Sequence, residues 1–146
     1  MEQYAYRSKR QISRHKENSP IYFTNSTVDI NGDGTNELIL SFSDGTLLAV
    51  FTMRDGQAVL LDAYWPRYKG AISDNKLYAF SSGGLDNYSY KTEQLSESGN
   101  LNTIESVGYT NGEYTHLKND EQKSITKAEF EEIVAGYQTV IGSAWD

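Results

Sequence analysis

Six short turn signals, strung along the middle of the chain, set the tightest limit on what it can fold into. They are Asp44-Gly45, Asp55-Gly56, Asp74-Asn75, Gly83-Gly84, Gly99-Asn100 and Asn111-Gly112. Each supplies residues that tolerate positive φ, the backbone state a tight hairpin demands and most side chains resist. Between them, β-branched and aromatic residues alternate with polar ones, as in strands with one face buried. The strand-length segments run Ile21–Val28, Glu37–Phe42, Leu47–Met53, Ala58–Trp65, Tyr68–Ser73, Lys76–Ser81, Asn87–Thr92, Leu101–Tyr109 and Glu113–Leu117. Connections this short join antiparallel neighbours, so the pattern predicts one meander of about eight to nine strands over residues 21–118. Leu38, Leu40 and Phe42 point to one face and Ser41 and Ser43 to the other. Val59, Leu61, Ala63 and Trp65 repeat the period of two.

Helical signals sit at both ends. Residues 2–16 lack Gly and Pro and place Tyr4, Ala5, Ser8 and Ile12 on one side at helical spacing, which predicts a short helix within residues 1–18. Near the other end, Ser124 or Thr126 can cap a helix in which Phe130, Ile133, Val134 and Tyr137 recur on one stripe. That helix, expected over 124–137, needs a sheet face or edge to cover. The expected fold is α+β, mainly β: an antiparallel β-meander with a short N-terminal helix and a C-terminal helix packed on the sheet. A length of 146 residues fits one domain, spanning 1–146.

Charge narrows the partners. Net charge is −7, yet Arg7, Lys9, Arg10, Arg14 and Lys16 crowd the start, leaving 8 basic and 18 acidic residues after position 17. A solvated helix face accounts for this basic run, and a polybasic patch facing anionic lipid is the alternative. The acidic remainder repels a phosphate backbone, so no nucleic-acid partner is expected. With no cysteine, disulfide frameworks, thiolate metal sites and Cys nucleophiles are excluded. No apolar run approaches the ~18 residues of a membrane span, and no signal peptide precedes residue 20.

Asp29-Ile30-Asn31-Gly32-Asp33-Gly34-Thr35-Asn36-Glu37 places oxygen-bearing side chains at loop positions 1, 3, 5 and 9, with Gly at position 6. Calcium takes six to eight oxygens, and alternate side chains of a tightly curved loop converge on one point. Asp29, Asn31 and Asp33 would each give a side-chain oxygen, Thr35 its carbonyl and Glu37 its carboxylate, while Ile30 turns into the core. An EF-hand needs a bidentate acid at position 12, which here is Leu40, and helical flanks, which here read as strands. A polar hairpin turn with no metal is the competing account of the same residues.

The nine-residue loop followed at once by Glu37-Leu38-Ile39-Leu40 resembles the calcium loops of FG-GAP and VCBS-type repeats, over residues 28–40. The wider order of helix, loop, meander and an "ITKAEF" helix is similar to small exported or lipid-anchored proteins of Gram-positive bacteria with unassigned roles. The resemblance implies calcium held by Asp29, Asn31, Asp33, Thr35 and Glu37 in an extracytoplasmic setting. It implies secretion or cell-surface display, with any lipid anchor carried by a segment outside this sequence. A complete propeller is not expected, because the loop occurs once.

Catalytic signatures are missing. His15 and His116 stand apart with no metal-binding spacing, and no GxSxG, SxxK, GxxxxGK[ST] or GxGxxG occurs. Asp62-Ala63-Tyr64-Trp65-Pro66-Arg67-Tyr68 concentrates aromatics, so Tyr64, Trp65 and Tyr68 are candidate contacts for a protein or carbohydrate partner, with core packing as the alternative. The expected function is a non-catalytic calcium-binding module for adhesion, recognition or assembly at a bacterial cell surface. A small carbohydrate- or peptidoglycan-acting domain using a carboxylate pair is one alternative, and an inhibitor or accessory subunit is another.

Overall fold

The computed structural model describes residues 23–43 and 45–142, and the expected N-terminal helix lies outside them. Ten strands and one helix follow in order: β1 (Phe23–Val28), β2 (Glu37–Phe42), β3 (Leu47–Arg54), β4 (Gln57–Ala63), β5 (Tyr68–Ser73), β6 (Lys76–Gly84), β7 (Asn87–Leu95), β8 (Leu101–Thr110), β9 (Glu113–Lys118), β10 (Glu121–Ser124) and α1 (Lys127–Ile141). Every strand pairs antiparallel with its sequence neighbour, but in two sheets: β1-β2-β3-β4 and β10-β9-β8-β7-β6-β5. The expectation of one continuous meander is corrected here.

The break falls at Tyr64-Trp65-Pro66-Arg67-Tyr68. Trp65 and Tyr68 exchange backbone hydrogen bonds of 3.0 and 2.8 Å across Pro66 and Arg67, which closes a tight corner. Pro66 has no N–H to extend a ladder. On leaving the corner, β5 pairs with β6 rather than β4. Tyr64 fixes the angle, because its ring lies against Gly70 in β5 and stacks on Tyr68 at a centroid distance of 5.4 Å. A Cβ on Gly70 would meet three Tyr64 ring carbons at 2.2 to 2.6 Å, so this position admits glycine alone.

Turn chemistry places the hairpins. Asp55-Gly56, Asp74-Asn75 and Asn111-Gly112 have positive φ at both residues, as expected. Gly83-Gly84, expected as a turn, instead ends β6, and the chain reverses at Leu85-Asp86. An unexpected reversal at Asn119-Asp120, with φ of 53° and 61°, adds β10.

The two sheets and the helix form three layers. Between the sheets lie Ile30, Ile39, Leu47, Val50, Leu77 and Leu95 together with Tyr64. The far face of the four-stranded sheet gathers Leu40, Leu48, Ala49 and Phe51, so β2 buries residues of both parities rather than one. On the other face of the six-stranded sheet, Phe80, Tyr90 and Val107 receive Phe130 and Tyr137 of the helix. Tyr88, Tyr109 and Tyr114 surround Phe130 at centroid distances of 5.9, 6.4 and 4.8 Å. The helix starts at Thr126, whose hydroxyl accepts from Glu129 N while the Glu129 carboxylate accepts from Thr126 N. Among the described residues no helix is long and apolar enough to cross a membrane.

Two consequences are testable. Gly70→Ala should destabilise the protein by about 1–3 kcal/mol in urea unfolding, because the Tyr64 ring has to leave its site. Burial pushes the hydroxyls of Tyr64, Tyr68 and Tyr137 well above the ordinary tyrosine value, with Asp62 adding to the first two and the Thr92 hydrogen bond opposing it at Tyr137. A folded-state value raised in this way leaves stability constant below the unfolded tyrosine value of about 10 and erodes it as pH rises beyond. Absorbance titration should therefore show these phenolates appearing together with alkaline unfolding rather than before it.

Candidate functional site

The loop between β1 and β2 is organised by its first residue. Asp29 Oδ1 accepts from Gly32 N at 2.9 Å and Asp33 N at 3.2 Å, and Oδ2 accepts from Gly34 N at 2.8 Å. Asn31 Oδ1 accepts from Asp33 N at 3.3 Å, and Asp33 Oδ1 from Thr35 N at 2.8 Å. Asx side chains capturing amides one or two residues ahead curl the backbone, and Gly34 at φ 87° completes the reversal. A neutral turn would need no such collection of anionic acceptors.

Glu37 closes the loop from below. It is fully buried, with Oε1 accepting from Ile30 N at 2.8 Å and Oε2 accepting from the Thr52 hydroxyl at 3.0 Å. One carboxylate thus joins the loop, β2 and β3. Among the described residues no Lys, Arg or His pairs with it. Ile30, 3% exposed, fills the inter-sheet core beneath. The loop is also tied to the other sheet, since Asn31 Nδ2 donates to Ser96 O at 2.8 Å in the β7–β8 turn. Arg54 Nη2 donates to Gly99 O of the same turn at 2.7 Å.

The donor set suits a hard cation in kind: carboxylate, amide and carbonyl oxygens with no nitrogen or sulfur ligand. Asp29 Oδ2 and both Glu37 oxygens each accept one hydrogen bond and retain a second lone pair. Asp29, Asn31, Asp33 and Thr35 lie on one exposed loop, and Glu37 lies under it. Among the described residues, no three His, Cys, Asp or Glu side chains converge into a cluster that can hold a metal ion. The amide and carbonyl oxygens of Asn31 and Thr35 therefore matter as much to any bound cation as the carboxylates do.

The aromatic candidates separate in space. Tyr64 is 5% exposed inside the corner, Tyr68 is half-buried, and Trp65 is 59% exposed. Tyr68 donates to Asp62 Oδ2 at 2.5 Å and carries the Lys91 ammonium over its ring at 5.3 Å. Lys91 also lies 3.4 Å from Glu93 Oε1, a buried oxygen that makes no hydrogen bond. These groups knit the sheets together, and only Trp65 presents a large surface to solvent.

A second concavity has no counterpart among the sequence candidates. An open cleft of about 540 Å³ runs between α1 and the six-stranded sheet. Its polar floor is the Tyr137 hydroxyl, bonded to the Thr92 hydroxyl at 2.7 Å, with Glu105 alongside. Glu105 Oε2 lies 2.9 Å from His116 Nε2 and 3.9 Å from Lys118 Nζ. Tyr78, Ile104 and Ile133 form apolar walls, and Lys76, Asn119 and Glu132 stand around them. These residues come from strands and a helix far apart in sequence, so no local motif announces them. The one available signal was Gly136 in the middle of a helical stripe, which leaves the wall open beside Tyr137.

No protein-family model, curated protein or solved structure matches this chain.

Thr52→Val should cost about 1–3 kcal/mol, because it keeps the side-chain shape but strips a buried carboxylate oxygen of its donor. Urea unfolding of the variant checks this. A cost no larger than that of a surface Thr→Val change would remove Glu37 from its place as the strut of the loop.

Proposed function

We propose that this chain is a non-catalytic recognition or assembly module of a bacterial cell surface, in which a calcium ion seated in the Asp29–Glu37 loop holds the first hairpin. The observation that carries this reading is the fully buried Glu37 carboxylate, which has only neutral partners among the described residues. A buried anion without a counter-charge is costly, and Asp29 and Asp33 add two more negative charges on the loop above it. A divalent cation is the simplest compensation, and it leaves the hydrogen bonds intact.

In this reading Asp29, Asn31, Asp33 and Glu37 supply side-chain oxygens and Thr35 its carbonyl. The ion supplies positive charge and no reaction. Calcium at extracellular abundance suits an exposed loop of this kind, whose expected affinity lies at about 10⁻⁴ to 10⁻³ M. That affinity is the support for an extracytoplasmic setting, whether secreted or tethered to the surface. Because Asn31 also reaches Ser96, a cation that stiffens the loop stiffens the junction between the two sheets. Trp65 offers an exposed aromatic contact for a protein or carbohydrate partner at the corner.

The test is thermal unfolding with millimolar calcium against chelator. At 10 mM calcium the stated affinities give about 1.4–2.7 kcal/mol of stabilisation, a rise of several degrees in Tm. Asp33→Ala should abolish that rise while leaving the fold in place. Glu37→Gln retains an acceptor for Ile30 N and can donate to Thr52, so it should match or exceed wild-type stability in chelator and gain less from calcium. A wild-type Tm that is the same in calcium and in chelator would overturn the reading.

A further inference from the structure

We infer that the cleft between α1 and the six-stranded sheet binds a short neutral saccharide. The inference gives the recognition role proposed above its ligand class, and rests on that reading only for its biological setting. The cleft lies on the helix side of the six-stranded sheet, whereas the calcium loop is tied to the turn between β7 and β8 on the side of the other sheet.

Three features of the cleft point to this ligand. The first is size: about 540 Å³ falls within the ~300–1,000 Å³ of small-ligand sites. The second is balance of charge. Lys76 and Lys118 face Glu105 and Glu132, so a phosphate or a polyamine gains on one side what it loses on the other. Glu105 is further engaged by His116 and Lys118, which leaves no isolated charge to select an ion.

The third is the arrangement of polar and apolar surface. Tyr78, Ile104 and Ile133 give apolar walls, and Ile104, 37% exposed, is a large side chain left partly in water. Around them stand donors, the Lys76 and Lys118 ammonium groups and the Asn119 amide, and acceptors, the carboxylate of Glu132 and the hydroxyl oxygens of the floor. A sugar ring has a C–H face and a perimeter of hydroxyls that both donate and accept, which matches this pattern group for group. Gly136 completes the shape. Nothing lies within 4 Å of where its Cβ would stand, so the helix leaves the wall open at the level of the Tyr137 ring.

The experiment is a titration of the ¹⁵N-labelled protein, followed by amide chemical shifts, with cellobiose, maltose and N,N′-diacetylchitobiose at millimolar concentrations. At least one should shift the amides of Ile104, Glu105, Lys118, Asn119 and Ile133 together. Gly136→Phe, which fills open space on a helical residue, should weaken that binding at least tenfold, equivalent to about 1.4 kcal/mol. Unchanged amide dispersion outside the cleft checks that this variant is folded. The inference is overturned if none of the three sugars moves these resonances, or if Gly136→Phe binds as tightly as the wild type. Repeating the titration in chelator keeps the two readings apart. Sugar binding that persists there supports the cleft whatever the loop does, and a calcium response without sugar binding overturns the cleft alone.

Discussion

A single buried carboxylate fixes how the start of this molecule is assembled. Glu37 reaches inward from the first residue of β2 and is held by an amide of the preceding loop and a hydroxyl of β3. Turning its side chain outward would leave Ile30 N and the Thr52 hydroxyl without acceptors in a dry interior, which costs more than either hydrogen bond contributes in water. The loop geometry, the inward turn of Ile30 and the register of β2 against β3 therefore stand or fall together. Because Ile30 belongs to the layer between the sheets, the constraint extends to the docking of one sheet on the other.

Much of the architecture is legible in the chain because turn chemistry is local. A residue pair that accepts positive φ marks a reversal wherever it occurs, and Asp55-Gly56, Asp74-Asn75 and Asn111-Gly112 do so without help from distant contacts. Gly83-Gly84 misleads for the same reason. Glycine permits a turn but does not require one, and here it serves a β6 that shifts register against β7 before the reversal at Leu85-Asp86. The capped C-terminal helix is equally readable, since Thr126 and Glu129 interact across one turn.

What the chain hides is decided by contacts between segments. Tyr64-Trp65-Pro66-Arg67-Tyr68 looks like one more hairpin turn with unusual aromatics, and only the packing of Tyr64 on Gly70 turns it into a corner between sheets. The loop residues Asp29, Asn31 and Asp33 announce themselves by spacing, whereas the inward course of Glu37 depends on Thr52, which lies 15 positions away. The cleft under α1 is the extreme case. Thr92 and Tyr137 lie 45 residues apart and meet at 2.7 Å, a pairing that no periodicity encodes.

The strand order carries a consequence for how the protein is made. Each strand finds its partner next to it in the sequence, so neither sheet needs a distant segment to arrive before its ladder can close. Loop-closure entropy is then small at every step, and hairpins can zip outward from their own turns within microseconds. The slow event is the one that nothing local assists, the seating of one finished sheet on the other around Tyr64 and Leu77. As the chain leaves the ribosome, the four-stranded sheet is complete before the six-stranded one has begun. It must keep its Ile39 and Val50 face from other chains until that partner emerges, and the speed of synthesis past the Pro66 corner sets how long the face stays open.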